Sequence, residues 1–213
     1  LSGGRYMKGL CAVVSGGKFS PLDRIGQASF VVACDLGLAY AARCGVRPDL
    51  LVGDFDSYRG EIPQDIPRLS LPVEKDDTDT MAAVRWAVAQ GFTELALYCA
   101  LGGRLDHLLG NLQCAAFAAE HGLRVHIYDE QAKLLVLSGG EAVLPRREGW
   151  SLSLLSLSDR CEGVSIRGTK YQLENTVITN RFPIGVSNEW EQDAHIRVES
   201  GVLLICQCRK PAG

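Results

Sequence analysis

From residue 9 the chain alternates short, β-branched apolar runs with segments whose apolar positions recur every three to four residues. "GLCAVVSGG" predicts a strand ending in a glycine turn, "SFVVACD" a second strand, and the alanine-rich "LGLAYAARCG" a helix stopped at Gly45. "DLLVGDFDS" predicts a third strand or strand end, "TDTMAAVRWAVAQG" a helix closed by Gly91, and "ELALYCALGG" a further strand. "RLDHLLGNLQCAAFAAEHG" then predicts a helix and "RVHIYD" a strand. Such alternation argues for a mainly parallel sheet with helices on both faces. Beyond about Lys133 the period changes. "AKLLVLSGG", "EAVLP", "SLSLLSLS", "CEGVSIRGT", "AHIRVES" and "VLLICQC" predict short strands separated by Gly, Asn or Pro, with no helix among them. This is the pattern of a small β-sandwich or barrel. The expected organisation is an α/β domain over residues 1–132 and an all-β domain over 133–213.

Within this frame the acidic residues gather at predicted strand-to-helix junctions, where open α/β sheets bind ligands. In "VGDFDS", Asp54 and Asp56 lie two apart and in extended backbone project to one side, while Gly53 permits close approach of a ligand. Two converging carboxylates suit Mg²⁺ shared with phosphate oxygens, although an Asp-rich turn capped by Ser57 has the same composition. In "EKDDTDT", Asp76 or Asp77 can cap the following helix, and Asp76 and Asp79 share a face. Capping leaves part of this run unexplained, because closely spaced carboxylates repel unless a cation or solvent screens them.

"GGRLDHLLGNL" is the most informative segment. Leu105, Leu108, Leu109 and Leu112 form one helical face, expected to be the apolar one, and Arg104, His107 and Asn111 another. Gly102 and Gly103 open the helix, so free N–H groups stand beside an arginine suited to oxyanions. No Walker A, kinase glycine loop, GxGxxG or GxSxG motif occurs, and the four histidines lack zinc-protease spacing.

Composition narrows the partner. A net charge of −3 without a basic cluster points away from nucleic acid and anionic lipid, and no apolar run approaches the ~20 residues of a membrane span. The eight cysteines sit mostly inside apolar runs without a CxxC pair, so they are expected to be reduced core thiols of a cytoplasmic protein.

Six segments in order, "ACDLGLAY", "PDLLVGDFDS", "EKDDTDT", "LGGRLDHLLGNL", "GTKYQLEN" and "GVSNEW", resemble the thiamine pyrophosphokinase family and span nearly the whole chain. Around the first aspartate the family pattern is Ala-Asp-Gly-Gly; here Cys34-Asp35-Leu36-Gly37 keeps Asp35 and Gly37 but places Leu36 where the family has glycine. The resemblance implies a Rossmann-like N-terminal α/β domain and a C-terminal β-sandwich that binds thiamine. It implies transfer of a pyrophosphoryl group from ATP to the hydroxyethyl arm of thiamine, giving thiamine diphosphate and AMP. Such chemistry rests on positioning and electrostatics.

On the same resemblance, Asp54, Asp56 and Asp79 would hold Mg²⁺, with Asp76 nearby and Arg104 also catalytic. Asp35, Gly37, Ser57, Thr78, Gly102, Gly103, Arg104, Asp106, His107 and Asn111 would bind the nucleotide. Ser187, Asn188 and Trp190 would receive thiamine, the indole ring offering a flat face to its aromatic rings. The family also implies a homodimer with active sites at the subunit interface. Asp54-Phe55-Asp56 would equally suit a nucleotide-sugar glycosyltransferase, a reading that leaves Gly-Gly-Arg-x-Asp-His unexplained; binding of nucleotide or thiamine without turnover is the other alternative.

Overall fold

The computed structural model describes residues 9–69 and 77–211, and the chain divides into two compact units after Glu130. Strands β1 (Leu10–Val14), β2 (Phe30–Cys34), β3 (Leu50–Val52), β4 (Arg68–Leu69), β5 (Glu94–Tyr98) and β6 (Arg124–Tyr128) belong to the first unit. They pair in the order β6-β5-β1-β2-β3-β4, every pair parallel. Helices α1 (Gly37–Arg43), α2 (Asp79–Gln90) and α3 (Leu105–Glu120) connect them. Four consecutive residues of β1, Cys11 to Val14, and four of β5, Leu95 to Tyr98, are fully buried. Strands with both faces buried lose the polar alternation of a half-exposed sheet, which is why they appear in sequence as unbroken apolar runs.

Helix α2 begins and ends on strong local signals. The Thr78 hydroxyl accepts the Met81 N–H at 3.2 Å, and Gly91 closes the helix in the left-handed region at φ 78°. The cap is therefore Thr78, not the expected Asp76 or Asp77; Asp77 instead lies 3.3 Å from the Arg85 guanidinium, and Asp76 is outside the described residues. A second expectation is reversed in α3. Leu105 and Leu109 are 69% and 52% exposed, while Asn111, Cys114, Ala115, Ala118 and Ala119 form the buried face. Small residues let the helix approach its neighbours closely, and Asn111 is accepted there because it is hydrogen-bonded.

The second unit contains β7 (Ala132–Leu144), β8 (Trp150–Ser156), β9 (Arg160–Thr169), β10 (Leu173–Thr179), β11 (Gly185–Asn188) and β12 (Trp190–Arg209), with no helix among its described residues. Two strand breaks expected at glycines do not occur. β7 runs on through Gly139 and Gly140, and β12 through Gly201, because these residues form an irregularity in the register of the β7–β12 pair between Val198 and Val202. The positive φ values of 74°, 97° and 86° explain the glycines: they shape a bulge rather than a turn. Ahead of the bulge β12 pairs with β9, and beyond it with β8, so one strand organises the unit. Leu135, Leu152, Ile166, Ile178, Ile196, Leu203 and Ile205 form its core. β10 and β11 are not expected from sequence, only one residue of each being buried and neither showing a clean apolar alternation.

The described cysteines are all free thiols, and Cys11, Cys34, Cys99, Cys114 and Cys161 are buried. Burial pushes the Cys11 thiol up to about 12 and that of Cys114 to about 11. His126, half-buried on β6 and stacked on Tyr128 at 5.8 Å, shifts the other way. Burial, with Arg124 and Arg24 adding to it, lowers its imidazole from 6.5 to about 4. The folded state therefore keeps His126 neutral at pH values where the unfolded chain binds a proton. Its influence is nil above pH 6.5, and stability is lost as pH falls from there towards 4, by up to about 3 kcal/mol. Denaturant unfolding between pH 7 and 4 should show this loss reduced in His126→Gln; an identical pH slope in the variant would remove His126 as its source.

Candidate active site

The order of the parallel strands reverses between β1 and β5: the chain moves outward from β1 to β4, then returns through α2 to β5 on the other side. At such a point the loops leaving the two strands part and open a crevice at the carboxyl ends. A cleft of about 370 Å³ lies there, bounded by Ser15 to Lys18 after β1, Asp35 after β2, Thr78 and Asp79 at the start of α2, and Gly102 to Arg104 with His107 and Asn111 on α3.

Close backbone packing forms its walls. Ser15 N–H donates to the Tyr98 carbonyl at 2.9 Å and Gly17 N–H to that of Cys99 at 3.0 Å, tying the β1 loop to β5. A Cβ at Gly17 would lie 2.5 Å from the Cys99 oxygen, so no larger residue fits. The Ser15 hydroxyl pairs with that of buried Thr80 at 3.0 Å. Gly37 does not line the cleft: a Cβ there would collide with the Val14 carbonyl oxygen, and its place is in the contact of α1 with β1. Leu36 has φ −58°, a helical conformation open to any residue, so its replacement of the family glycine costs no backbone strain.

The carboxylates converge by turn geometry rather than by the extended backbone expected. Phe55, at φ 62°, is 4% exposed and packs with Ala33, Leu38, Leu51 and Ile66. With that side chain anchored inward, Asp54 and Asp56 face outward. The Asp56 N–H donates to Asp54 Oδ1 at 3.3 Å, and the Ser57 hydroxyl donates to Asp56 Oδ1 at 2.9 Å. Asp35, at φ 46°, completes the group: one carboxylate oxygen each from Asp35, Asp54 and Asp56 lies within 4.8 Å of the others. Burial, with Asp56 and Asp79 adding to it, raises the Asp35 carboxyl above its ordinary range, and Asp35 Oδ1 is buried with no hydrogen-bond partner among the described residues.

Asp79 is not a member of this triad, although it lines the same cleft; a Cβ at Gly53 would lie 2.8 Å from Asp79 Oδ2. The membership of Asp35 was not apparent from sequence, since β2 and β3 are separate in the chain and become neighbours only by pairing.

On α3, Gly102 and Gly103 adopt φ 74° and 72° ahead of the first turn. The Arg104 guanidinium forks onto Asp106, at 3.1 Å to Oδ1 and 2.6 Å to Oδ2, and this hydrogen bonding holds the Asp106 carboxyl below its usual range. Asn111 donates to the Ala100 carbonyl at 2.8 Å and so fixes the end of β5 against α3. In the second unit Asn188 is fully engaged: its Oδ1 accepts the N–H groups of Tyr171 and Glu189, and its Nδ2 donates to Thr169 Oγ1 and the Tyr171 carbonyl. Ser187 is exposed at φ 62°, and Trp190 packs partly on the β core with its Nε1 buried and without a partner among the described residues.

Comparison with known proteins gives a consistent result for both units. Residues 23–127 match the family described as thiamin pyrophosphokinase, catalytic domain, and residues 141–203 match thiamin pyrophosphokinase, vitamin B1 binding domain. The thiamine pyrophosphokinase of Bacillus subtilis is 29% identical over 164 residues, covering 74% of this chain and 77% of the relative. A crystal structure of thiamine pyrophosphokinase from that organism aligns with TM-score 0.81 at 23% identity, over 94% of this chain and 99% of the other, a likeness of fold. That of Geobacillus thermodenitrificans thiamin pyrophosphokinase aligns with TM-score 0.78 at 28% identity, over 95% and 99%. With the two domain matches in sequence order and together spanning most of its length, the chain belongs to the thiamin pyrophosphokinase family.

Proposed function

We propose that the chain transfers the pyrophosphoryl group of ATP to the hydroxyethyl oxygen of thiamine, releasing thiamine diphosphate and AMP, in the cleft between the β1 and β5 loops. The observation that carries this assignment of the site is the convergence of Asp35, Asp54 and Asp56 beside that cleft. On this reading the first unit, ending at Glu130 rather than at the expected 132, is a Rossmann-like nucleotide domain, and the second, from Gln131, a small thiamine-binding sandwich.

The acidic group fits Mg²⁺. A hard cation takes carboxylate oxygens, and the buried Asp35 Oδ1 lacks any other partner among the described residues. Asp35, Asp54 and Asp56 would hold the ion, with Asp79 completing the acidic wall and Asp76 kept as a neighbour. When bound, Mg²⁺ offsets polyphosphate charge and orients the phosphates for in-line displacement.

The protein's own groups do the rest. In the reaction the thiamine oxygen bonds to the β-phosphorus, the bond from that phosphorus to the bridging oxygen of AMP breaks, and the hydroxyl proton is released. Phosphate oxygens would be received by the N–H groups around Gly102 and Gly103 at the start of α3, while Thr78 and Asn111 fix the cleft's helices and Asp106 orients Arg104. His107 lines the nucleotide side. Ser187 and Trp190 would meet thiamine, and Asn188 positions them by bracing β11. The exposed Leu105 and Leu109, with Phe182, Ile184 and Val186 in the second unit, support a homodimer, and the free thiols support a cytoplasmic setting.

Purified protein given ATP, Mg²⁺ and thiamine should form AMP and thiamine diphosphate in equal amounts, and neither without thiamine. Formation of ADP would make it a monophosphate kinase, and absence of any thiamine-dependent product would overturn the assignment.

A further inference from the structure

We infer that Lys18, in the turn after β1, is the cation that binds the polyphosphate of the nucleotide, an inference that rests on the cleft being the ATP site. Sequence patterning gave no sign of it: Lys18 stands alone, outside any motif, in "SGGKFS". The structure brings it into the lining of the cleft that Asp35 and Asp79 share.

Three observations converge. The first is charge. A nucleoside triphosphate carries more negative charge than one divalent cation offsets, and this cleft has acidic residues of its own. Its lining includes two side chains of fixed positive charge, Lys18 and Arg104. Arg104 is already forked onto Asp106. Lys18 forms no ion pair among the described residues, so its ammonium is the uncommitted charge. A lysine acts as a compact point charge and suits a polyphosphate whose oxygens offer several acceptors.

The second is anchorage. Gly17 is held from both sides, its N–H on the Cys99 carbonyl at 3.0 Å and its carbonyl accepting the Tyr40 hydroxyl at 2.8 Å. Tyr40 in turn packs edge-on against Phe19, with ring centroids 5.4 Å apart. The turn carrying Lys18 is thereby fixed to β5 and to α1, which limits the entropy lost when its side chain engages a ligand.

The third is space. A Cβ at Gly102 would lie 3.2 Å from both Cβ and Cδ of Lys18, so the lysine stem occupies the room that the missing side chain leaves. That places the stem alongside the loop leading into α3, where the phosphate-receptive N–H groups are. Lysine, glycine turn and helix start thus form one surface contributed by two loops of the switch point.

Calorimetric titration of the full chain with ATP, inorganic triphosphate and AMP, in Mg²⁺ buffer, tests this for wild type, Lys18→Met and Lys18→Arg. Lys18 is exposed, so the thermal midpoint of each variant should stay within about 2 °C of wild type. Lys18→Met should weaken ATP and triphosphate by roughly tenfold or more while AMP changes less than about twofold, and Lys18→Arg should recover most of the triphosphate affinity. Unchanged triphosphate affinity in Lys18→Met overturns the inference, as does an equal loss for AMP, which would put the contact on the nucleoside monophosphate. Because binding is read without turnover, a wild-type chain that binds triphosphate but forms no AMP with thiamine defeats the proposed reaction, while Lys18 is still judged by the same titration. A wild type that binds none of the three probes overturns both.

Discussion

Asp54→Asn should lower kcat by roughly 10³-fold, with the fold intact. The amide keeps the shape of the side chain and its acceptor oxygen, so the contact from the Asp56 N–H at 3.3 Å can persist and the turn around Phe55 remains in place. What is lost is one of three carboxylate charges gathered within 4.8 Å. Like charges at this separation oppose folding unless a cation compensates them, so thermal stability without Mg²⁺ should hold or rise slightly. The mutation therefore separates function from stability, and two measurements decide it: AMP formation under saturating ATP and thiamine, and the thermal midpoint with and without Mg²⁺. Activity within tenfold of wild type would remove Asp54 from the metal site.

Gly37→Ala should have the opposite signature, a large loss of stability from a single methyl group. A Cβ at this position meets the Val14 carbonyl oxygen, part of the backbone of a strand with four fully buried residues in a row, and neither α1 nor β1 can yield without disturbing packing on both sides. Overpacking of this kind costs about 3 kcal/mol, which for a unit of this size lowers the thermal midpoint by on the order of 10 °C. At temperatures where the variant is folded, its KM for ATP should lie close to that of wild type, because Gly37 packs beneath the cleft without lining it. A stable variant with a raised KM would return Gly37 to the nucleotide site.

These two residues also mark what sequence could and could not convey. Asp54 and Asp56 are legible as a pair because they lie two apart in the chain beside a glycine; Asp35 is not, because only the pairing of β2 with β3 brings it to them. The helix over residues 105–120 is evident in the sequence, but its buried face is not. Leucines carry the stronger hydrophobic signal, but close helix packing selected the small residues, and the leucines of the first turns were left exposed. Glycines were ambiguous in the same way. Gly91 ended a helix as expected, whereas Gly139, Gly140 and Gly201 let long strands continue through a bulge, a distinction set by the partner strand rather than by the local sequence. Asn188 looked available for a ligand and proved to be committed to the protein's own backbone.

The buried thiols give the protein a built-in set of clocks. Cys11, Cys34, Cys99 and Cys114 lie in the first unit and Cys161 in the second, each closed to reagent while its surroundings hold together. A thiol sheltered by packing reacts only in the moments when its neighbourhood opens, and in the first unit burial also raises the Cys11, Cys34 and Cys114 thiols. Alkylation followed residue by residue would time the breathing of each unit separately, with no label added to the chain.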